Sequence, residues 1–127
     1  MTRKLPKVIN QKEFEVLIKY TLRKKHPKYK QFAIAILLGF EAGMRISEIV
    51  GLEDIVPKLI QERIDLRQNT IRVEAGKGQK DRIVPLPKRF NTRLYGFIPL
   101  TISRRSLQRY VTLTCKQLFG KHLTFHC

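Results

Sequence analysis

The segment from Gly43 to Leu52 contains the residue best suited to hold an anion. Arg45 lies there between a predicted apolar helix and the start of the next helix. A guanidinium held beside the N–H groups of a helix start can bind two oxygens of a phosphate at once. The residue types by themselves favour a simpler interpretation, a surface ion pair of Arg45 with Glu41 or Glu48.

Two further segments contain residues suited to phosphate chemistry. In Gly76–Pro87, Lys77 stands between two glycines at the tip of a predicted hairpin, where its ammonium can approach a bound strand closely. An ordinary turn with an exposed lysine would look the same, and the spacing of a Walker A nucleotide-binding loop is missing. In Leu123–Cys127, His126 is able to act as an acid or a base, but a single histidine says little by itself.

Helical periodicity predicts the elements that must position these residues. An amphipathic helix is expected over Gln11–Lys25, with Asn10 and Glu13 in the positions of a capping box. A second helix, over Lys28–Ala42, is apolar nearly all round, which predicts that it is buried at the centre of a domain. Gly43 suits the end of this helix.

The remaining helices are shorter or lie near the end of the chain. Ser47 is a suitable N-cap for a short third helix, and Ser103 is a suitable N-cap for a final helix that ends at Phe119 before Gly120. The stretch Glu53–Arg63 has no clear pattern.

Three alternating apolar segments predict strands, and they lie between the helical halves of the chain. They are separated by turn-forming residues and comprise Ile64–Leu66, Ile71–Glu74 and Arg82–Leu86. Pro85 places the last of them at a sheet edge, because proline cannot donate a ladder hydrogen bond. The predicted fold class is α+β, mainly helical with one inserted three-stranded antiparallel sheet, in a single domain over residues 1–127.

The charge of the chain predicts a polyanionic partner. Its 26 Lys and Arg against 10 Asp and Glu give a net charge of +16, and no acidic residue follows Asn91. Double-stranded DNA fits best, because each neutralised phosphate releases counterions. The candidate phosphate contacts are basic residues of the hairpin and of the final helix: Lys80, Arg82, Arg104, Arg105 and Arg109. No aromatic motif typical of RNA binding is found, and an anionic membrane surface is a weaker alternative.

Other features of the composition predict where the protein works. The two cysteines do not form a disulfide framework, the first ten residues do not resemble a signal peptide, and the apolar run Phe32–Phe40 is too short to span a bilayer. We therefore expect an intracellular, soluble protein.

Taken together and in this order, the three segments resemble the phage-integrase family of tyrosine recombinases. Gly43–Ile49 matches the family's G-[LM]-R-[IV]-S-E-[LI] segment, and Gly76–Leu86 matches its G-K-G-x-K-x-R-x-V-P-L hairpin at every fixed position. Leu123, Thr124 and His126 match the start of its L-T-x-H-x-L-R-H motif. The resemblance covers the chain from Leu5 onward and implies a helical recombinase catalytic-domain fold.

The resemblance also implies a role for each matched residue. Arg45 corresponds to the first catalytic arginine, which binds non-bridging oxygens of the scissile phosphate. Lys77 corresponds to the hairpin lysine, which protonates the leaving 5′ oxygen. His126 corresponds to the first residue of a His-x-x-Arg motif, a general acid or base at the phosphate. The implied reaction is site-specific strand exchange for DNA integration or recombination through a phosphotyrosyl ester, and it needs no metal and no cofactor.

Several family features have no counterpart in the sequence. The second arginine, a later His or Trp and the nucleophilic tyrosine would follow Cys127, whereas the four tyrosines of the chain all precede His126. No segment corresponds to the family's usual N-terminal core-binding domain. We therefore expect a partial catalytic domain, incomplete at its C-terminus, that binds DNA but does not cleave it alone. We also expect action in the cytoplasm of a prokaryotic cell, for the cell or for a mobile element, and association with other recombinase protomers.

Further expectations remain beside this one. The chain could be a non-catalytic remnant that acts as a basic DNA-binding or regulatory module. The interval between Arg45 and Lys77 is longer than usual in the family, which predicts a small insertion within Val56–Arg63. Cys115, His122, His126 and Cys127 have a weak zinc-like spacing, although the paired cysteines of structural zinc sites are missing. A chain without its last third is also expected to expose apolar surface and to be marginally stable.

Overall fold

Helices before and after a small sheet build the fold. The computed structural model describes residues 9–52, 55–74 and 80–120. Within them the helices are α1 (Gln11–Arg23), α2 (Pro27–Glu41), α3 (Ile46–Val50), α4 (Thr92–Tyr95) and α5 (Arg104–Phe119), and the strands are β1 (Ile64–Asp65), β2 (Thr70–Val73) and β3 (Arg82–Pro85). The predicted α+β class is confirmed.

The predicted caps of the long helices are confirmed. The Asn10 side chain accepts a hydrogen bond of 2.8 Å from the Glu13 N–H, and the Glu13 carboxylate accepts one of 3.0 Å from the Asn10 N–H. Ser103 caps α5 through its side chain, which accepts from the Ser106 N–H. Gly43 and Gly120 have φ angles of 71° and 69°, the left-handed conformation that ends a helix at a glycine.

Several helix boundaries differ from the prediction, and α2 is shifted by one residue at both ends. The first helix ends at Arg23 rather than at Lys25, because His26 already caps α2 and Pro27 fills its first position. The third helix begins at Ile46, with Arg45 rather than Ser47 at the N-cap. Ser47 is buried within the helix instead, so the predicted cap was wrong.

The sheet has the predicted antiparallel pairing; β1 and β3 each end one residue earlier than predicted, and β2 begins and ends one residue earlier. Its order is β1-β2-β3, and in its register Ile71 lies opposite Ile64 on one side and Val84 on the other. Strand β3 is at an edge, as Pro85 predicted. Asn69, with a φ of 58°, ends the turn between β1 and β2.

The core is centred on α2, as its apolar sequence predicted. Every residue from Phe32 to Leu38 is buried, and α1, α3 and α5 pack against this helix. The almost completely buried side chains include Phe14, Leu17 and Ile18 from α1, Ile34 and Leu38 from α2, Ile46 and Ile49 from α3, Ile71 and Val73 from β2, Leu100, and Leu107 and Val111 from α5. Each buried side chain of this size contributes about 1.5–3 kcal/mol.

The two ends of α2 have different neighbours. Near its start, the Gln31 side chain accepts hydrogen bonds of 2.7 and 3.1 Å from the N–H groups of Thr101 and Ile102, which holds the start of α5 beside the start of α2. After Glu41 the chain turns back, and the N–H of Met44, the residue before Arg45, bonds to the Leu38 carbonyl oxygen at 3.2 Å. At about 1.5 Å per residue, the helix from Gln31 to Leu38 separates these two regions by about 10 Å along its axis.

Candidate active site

Arg45 presents an exposed guanidinium on a backbone that is fixed on both sides. The residue is exposed, whereas the neighbouring side chains of Met44 and Ile46 are 3% and 0% exposed. Its backbone is extended, with φ −79° and ψ 154°, at the N-cap of α3. The alternation of buried, exposed and buried side chains anchors the segment in the core and directs the arginine outward.

Glu48 fixes the backbone of Arg45 from the other side of the first helical turn. The Arg45 N–H donates a hydrogen bond of 2.8 Å to Glu48 Oε1. This is the glutamate half of a capping box. An arginine side chain has no acceptor, so it cannot return the bond, and its guanidinium stays available for other partners.

The partner of the Glu48 carboxylate is Arg82 on β3. Arg82 Nη1 donates to Oε2 at 2.8 Å and Nη2 donates to Oε1 at 3.0 Å, and Nη2 also lies 3.4 Å from the carbonyl oxygen of Gly43. Arg82, the first residue of β3, is therefore bound to residues that precede and follow Arg45 in the chain. None of the ion pairs within residues 9–52, 55–74 and 80–120 includes Arg45, so the simpler interpretation, an ion pair of Arg45 with Glu41 or Glu48, was wrong.

The electrostatics of this pair keep Glu48 ionised. Burial by itself raises the pKa of the Glu48 carboxyl, but the hydrogen bonds from Arg82 and from the Arg45 N–H, with the charges of these arginines, outweigh it and lower that pKa below the ordinary glutamate value. The same contact raises the pKa of Arg82.

The sequence patterns assigned Glu48 no role beyond a possible ion pair with Arg45. A signal for its backbone contact was present, because a glutamate three positions after an N-cap is the capping-box position. Its second role, holding a strand 34 residues away, has no local signal.

Of the three predicted catalytic residues, the structure describes Arg45. Lys77 and His126 lie outside the described residues, in segments 75–79 and 121–127. Strand residues Val73 and Arg82 form the last described pair before the connection that contains Lys77. The role of Lys77 and the role of His126 both remain predictions.

The predicted DNA contacts fall into two groups. Lys80 and Arg82 lie at the β3 end of the hairpin, on the side of Arg45, and Lys80 is exposed. Arg104 and Arg105 are exposed on the first turn of α5, and Arg109 is exposed one turn further. Because the start of α5 lies beside the start of α2, the structure places the Arg104–Arg105 pair toward the opposite end of α2 from Arg45.

Tyr110 is partly buried and packs against the core. The hydroxyl of Tyr110 lies 2.7 Å from Thr21 Oγ1, and its ring stacks on Phe32 with centroids 4.7 Å apart. Burial raises the pKa of Tyr110, which disfavours the phenolate form that a nucleophile needs.

No cluster of three or more potential metal ligands occurs in the part of the chain that the structure describes. Cys115 is buried on α5. The other members of the zinc-like set, His122, His126 and Cys127, lie outside that part. Across the same residues, no helix combines the length and the apolar character needed to cross a bilayer.

Comparison with known proteins gives one family and several related recombinases. The model of the phage integrase family matches residues 7–108. The chain is 36% identical over 86 residues to tyrosine recombinase XerA of Thermococcus kodakarensis, covering 68% of this chain and 27% of that protein. It is 34% identical over 86 residues to tyrosine recombinase XerD of Xanthomonas axonopodis, covering 68% of this chain and 25% of that protein.

A longer alignment comes from a tyrosine recombinase of Pseudothermotoga lettingae. It is 26% identical over 124 residues, which covers 98% of this chain and 36% of that protein. The chain thus spans between about a quarter and just over a third of the length of the curated relatives that it matches. No solved structure gives a significant match. The family match extends over most of the chain and includes the Arg45 segment and the sheet, and on this ground the chain belongs to the phage integrase family.

Proposed function

We propose that this chain is part of a tyrosine recombinase that breaks and rejoins DNA strands through a phosphotyrosyl intermediate. In this proposal, Arg45 binds non-bridging oxygens of the scissile phosphate. The observation that supports it best is the exposed Arg45 guanidinium, held on a backbone that Glu48 and Arg82 fix from two directions. The matched relatives are named tyrosine recombinases, which agrees with this assignment.

The chemistry requires the arrangement found at Arg45. A phosphodiester transfer accumulates negative charge on the non-bridging oxygens in the transition state. A cation that is already in place stabilises this charge without further reorganisation, and loss of one such donor typically lowers the rate by about 10²–10³. Arginine suits the task better than lysine because its planar fork binds two oxygens together.

The other two roles follow from the motifs. Lys77 protonates the leaving 5′ oxygen, and His126 acts as an acid or base at the phosphate. We assign no nucleophile within the chain, since Tyr110 is engaged with Thr21 and the remaining tyrosines do not match the family's nucleophile position. Alone, the chain then binds double-stranded DNA without cleaving it, and cleavage requires a segment that supplies the tyrosine, either in the same polypeptide or from another protomer.

The decisive experiment supplies this segment. The chain is joined after Cys127 to the corresponding C-terminal segment of the XerA relative and incubated with a library of random duplexes, and covalent protein–DNA complexes are isolated after denaturation. We expect covalent complexes from the parent chimera, and a loss of at least about 100-fold for Arg45→Ala and for Lys77→Ala. The matched control is Arg67→Ala, which removes an exposed arginine from the turn between β1 and β2.

The outcomes separate the two functions that the sequence allows. Covalent complexes at parental level from both the Arg45→Ala and Lys77→Ala chimeras would contradict the assigned roles. If no chimera forms covalent complexes while duplex binding persists and weakens with salt, the chain is better described as a non-catalytic DNA-binding module.

A further inference from the structure

The turn between α1 and α2 concentrates positive charge toward the opposite end of α2 from Arg45. Six Lys and Arg residues and one histidine lie between Val16 and Phe40, and this stretch contains no acidic residue. Most of them are consecutive or nearly so in the segment Arg23–Lys30. We call the exposed cations Arg23, Lys25 and Lys28 the turn patch. A cluster of this density is typical of nucleic-acid contact surfaces.

The turn patch is not neutralised within the part of the protein that the structure describes. The ion pairs there are Arg63–Glu74, Arg82–Glu48 and Arg89–Glu15, and none of them includes a residue of the patch. At other basic positions the protein does place carboxylates beside arginines. The patch is therefore different from a solvated surface with mixed charges.

The local electrostatics oppose this arrangement. The start of a helix carries a partial positive charge, which favours acidic residues in the first turn and disfavours basic ones by about 0.3–1 kcal/mol each. The first turn of α2 contains Lys28 and no acidic residue. A polyanion bound at this end would relieve the repulsion among the cations and with the helix start.

Aromatic rings order the side chains around the turn. The Lys24 ammonium lies 4.7 Å from the centre of the Tyr20 ring and 5.2 Å from that of the Tyr29 ring, and the Lys28 ammonium lies 5.3 Å from the Tyr29 ring. Tyr29 in turn contacts Phe32 in the core. These cation–π contacts restrict long side chains that would otherwise lose more conformational entropy on binding.

A second group of cations lies toward the same end of α2 as the patch. Gln31 binds the N–H groups of Thr101 and Ile102 and so brings the start of α5, with exposed Arg104 and Arg105, to the same end of the molecule. Arg45 follows Met44, whose N–H is bonded to the Leu38 carbonyl oxygen toward the other end of α2. Lys28 and Leu38 are about 15 Å apart along the axis of α2, which corresponds to roughly four or five base pairs at 3.4 Å each.

We propose that the turn patch is a second phosphate-binding surface, which binds the backbone of the same double-stranded DNA a few base pairs away from the phosphate at Arg45. The inference rests on the proposed DNA-binding function and adds a surface that the recombinase motifs do not include. Binding of this kind positions a duplex without reading its sequence. DNA is favoured over an anionic membrane, because α1 buries Phe14, Leu17 and Ile18 in the core. Its exposed large apolar side chain, Val16, does not form the apolar face that a helix needs to insert into a bilayer.

The test compares two triple variants of the whole chain that have equal net charge. The patch variant is Arg23→Gln, Lys25→Gln and Lys28→Gln. The control variant is Lys12→Gln, Lys88→Gln and Lys116→Gln, which removes three exposed lysines elsewhere. The dissociation constant for a fluorescent duplex of about 30 base pairs, roughly three helical turns, is measured between about 50 and 200 mM salt, and thermal unfolding checks that both variants are folded.

We expect the patch variant to neutralise about one to three fewer DNA phosphates than the unmodified chain. The slope of log K against log salt should become shallower by about 0.9 for each of these phosphates, whereas the control variant keeps the slope of the unmodified chain. Equal slopes for the two variants would overturn the inference while leaving the proposed function intact. If the unmodified chain binds no duplex, both the inference and DNA binding by this chain fail. Binding of the same variants to phosphatidylserine vesicles is measured alongside. If the patch variant loses vesicle binding but keeps its duplex binding, the inference is overturned in favour of a membrane surface.

Discussion

Glu48 and Arg82, 34 residues apart, are joined by two hydrogen bonds of 2.8 and 3.0 Å between a buried carboxylate and a half-exposed guanidinium. One oxygen of this carboxylate also accepts the N–H of Arg45. A single side chain therefore connects the start of α3 to strand β3. The position of Arg45 relative to the hairpin depends on this connection, which can be tested through its stability and its response to pH.

The first prediction concerns the stability that the pair contributes. Glu48→Gln keeps the size and an acceptor oxygen of the side chain but removes its charge, leaving Arg82 with a weaker partner. We expect the free energy of unfolding in urea to fall by about 1–2 kcal/mol, less than for a fully buried pair because the Arg82 side chain is 43% exposed.

A matched control for this change is Glu62→Gln, at an exposed glutamate of the segment Gln61–Arg63. It should alter the free energy of unfolding by less than about 0.5 kcal/mol. In the double variant Glu48→Gln with Arg82→Gln, the loss should be smaller than the sum of the two single losses, because both changes remove the same interaction. Additive losses would show that the two residues are not coupled.

The second prediction is a dependence of stability on pH. The pKa of Glu48 is lower in the folded protein than in the unfolded chain, so the unfolded state takes up this proton first as the pH falls. The contribution of Glu48 is therefore complete above the unfolded pKa of about 4.3 and is lost as the pH falls through the lower folded pKa. In urea unfolding between about pH 3 and pH 6, the difference between the parent chain and Glu48→Gln should shrink toward low pH. A difference that stays constant over this range would contradict the shift.

The third prediction separates Arg45 from Arg82. The Arg45 guanidinium has no ion pair with a described residue, whereas that of Arg82 binds Glu48 and approaches Gly43. Arg45→Ala should therefore change the free energy of unfolding by less than about 0.5 kcal/mol, and Arg82→Ala should lower it by about 1–3 kcal/mol. A loss of more than about 1 kcal/mol for Arg45→Ala would show that this arginine has a structural role that the described contacts do not include.

Much of this fold could be predicted from sequence because local signals specify it. The Asn10–Glu13 capping box, the glycine ends of α2 and α5 and the alternation of the three strands all depend on residues a few positions apart. The apolar run of α2 also predicted its burial correctly, because a helix with no polar face has no other stable location.

The error in the start of α3 arose where capping preference and burial favour different residues as the N-cap. Ser47 has the residue type of an N-cap, but burial of Met44 and Ile46 on either side of Arg45 moves the helix start by two positions. The arrangement of the site could not be predicted from residues close together in the sequence either. The sequence predicted Arg45 and Arg82 as separate cations, and the bridge between them requires a contact across 34 positions.

The fourth prediction concerns two glycines that flank the Arg45 segment and differ in their surroundings. Gly43 has a φ of 71°, and a Cβ added there would meet open space. Gly51 has φ 92° and ψ 161°, a conformation that is almost restricted to glycine, and an added Cβ would lie 3.2–3.3 Å from the Lys58 backbone. Gly43→Ala should therefore cost about 1–2 kcal/mol in the free energy of unfolding, from the left-handed backbone alone.

Gly51→Ala should cost more, about 3 kcal/mol, because backbone strain adds to the displacement of the Lys58 segment. Gly96→Ala is the control, since Gly96 has a φ of −65° and an added Cβ would be in ordinary contact at 3.4 Å from the Arg93 carbonyl. That change should be neutral or stabilising by up to about 1 kcal/mol, because alanine restricts the unfolded chain. Urea unfolding of the three variants should therefore rank Gly96→Ala above Gly43→Ala and Gly43→Ala above Gly51→Ala in stability. If Gly51→Ala is no less stable than Gly43→Ala, the Lys58 backbone is not packed against α3 as closely as these distances require.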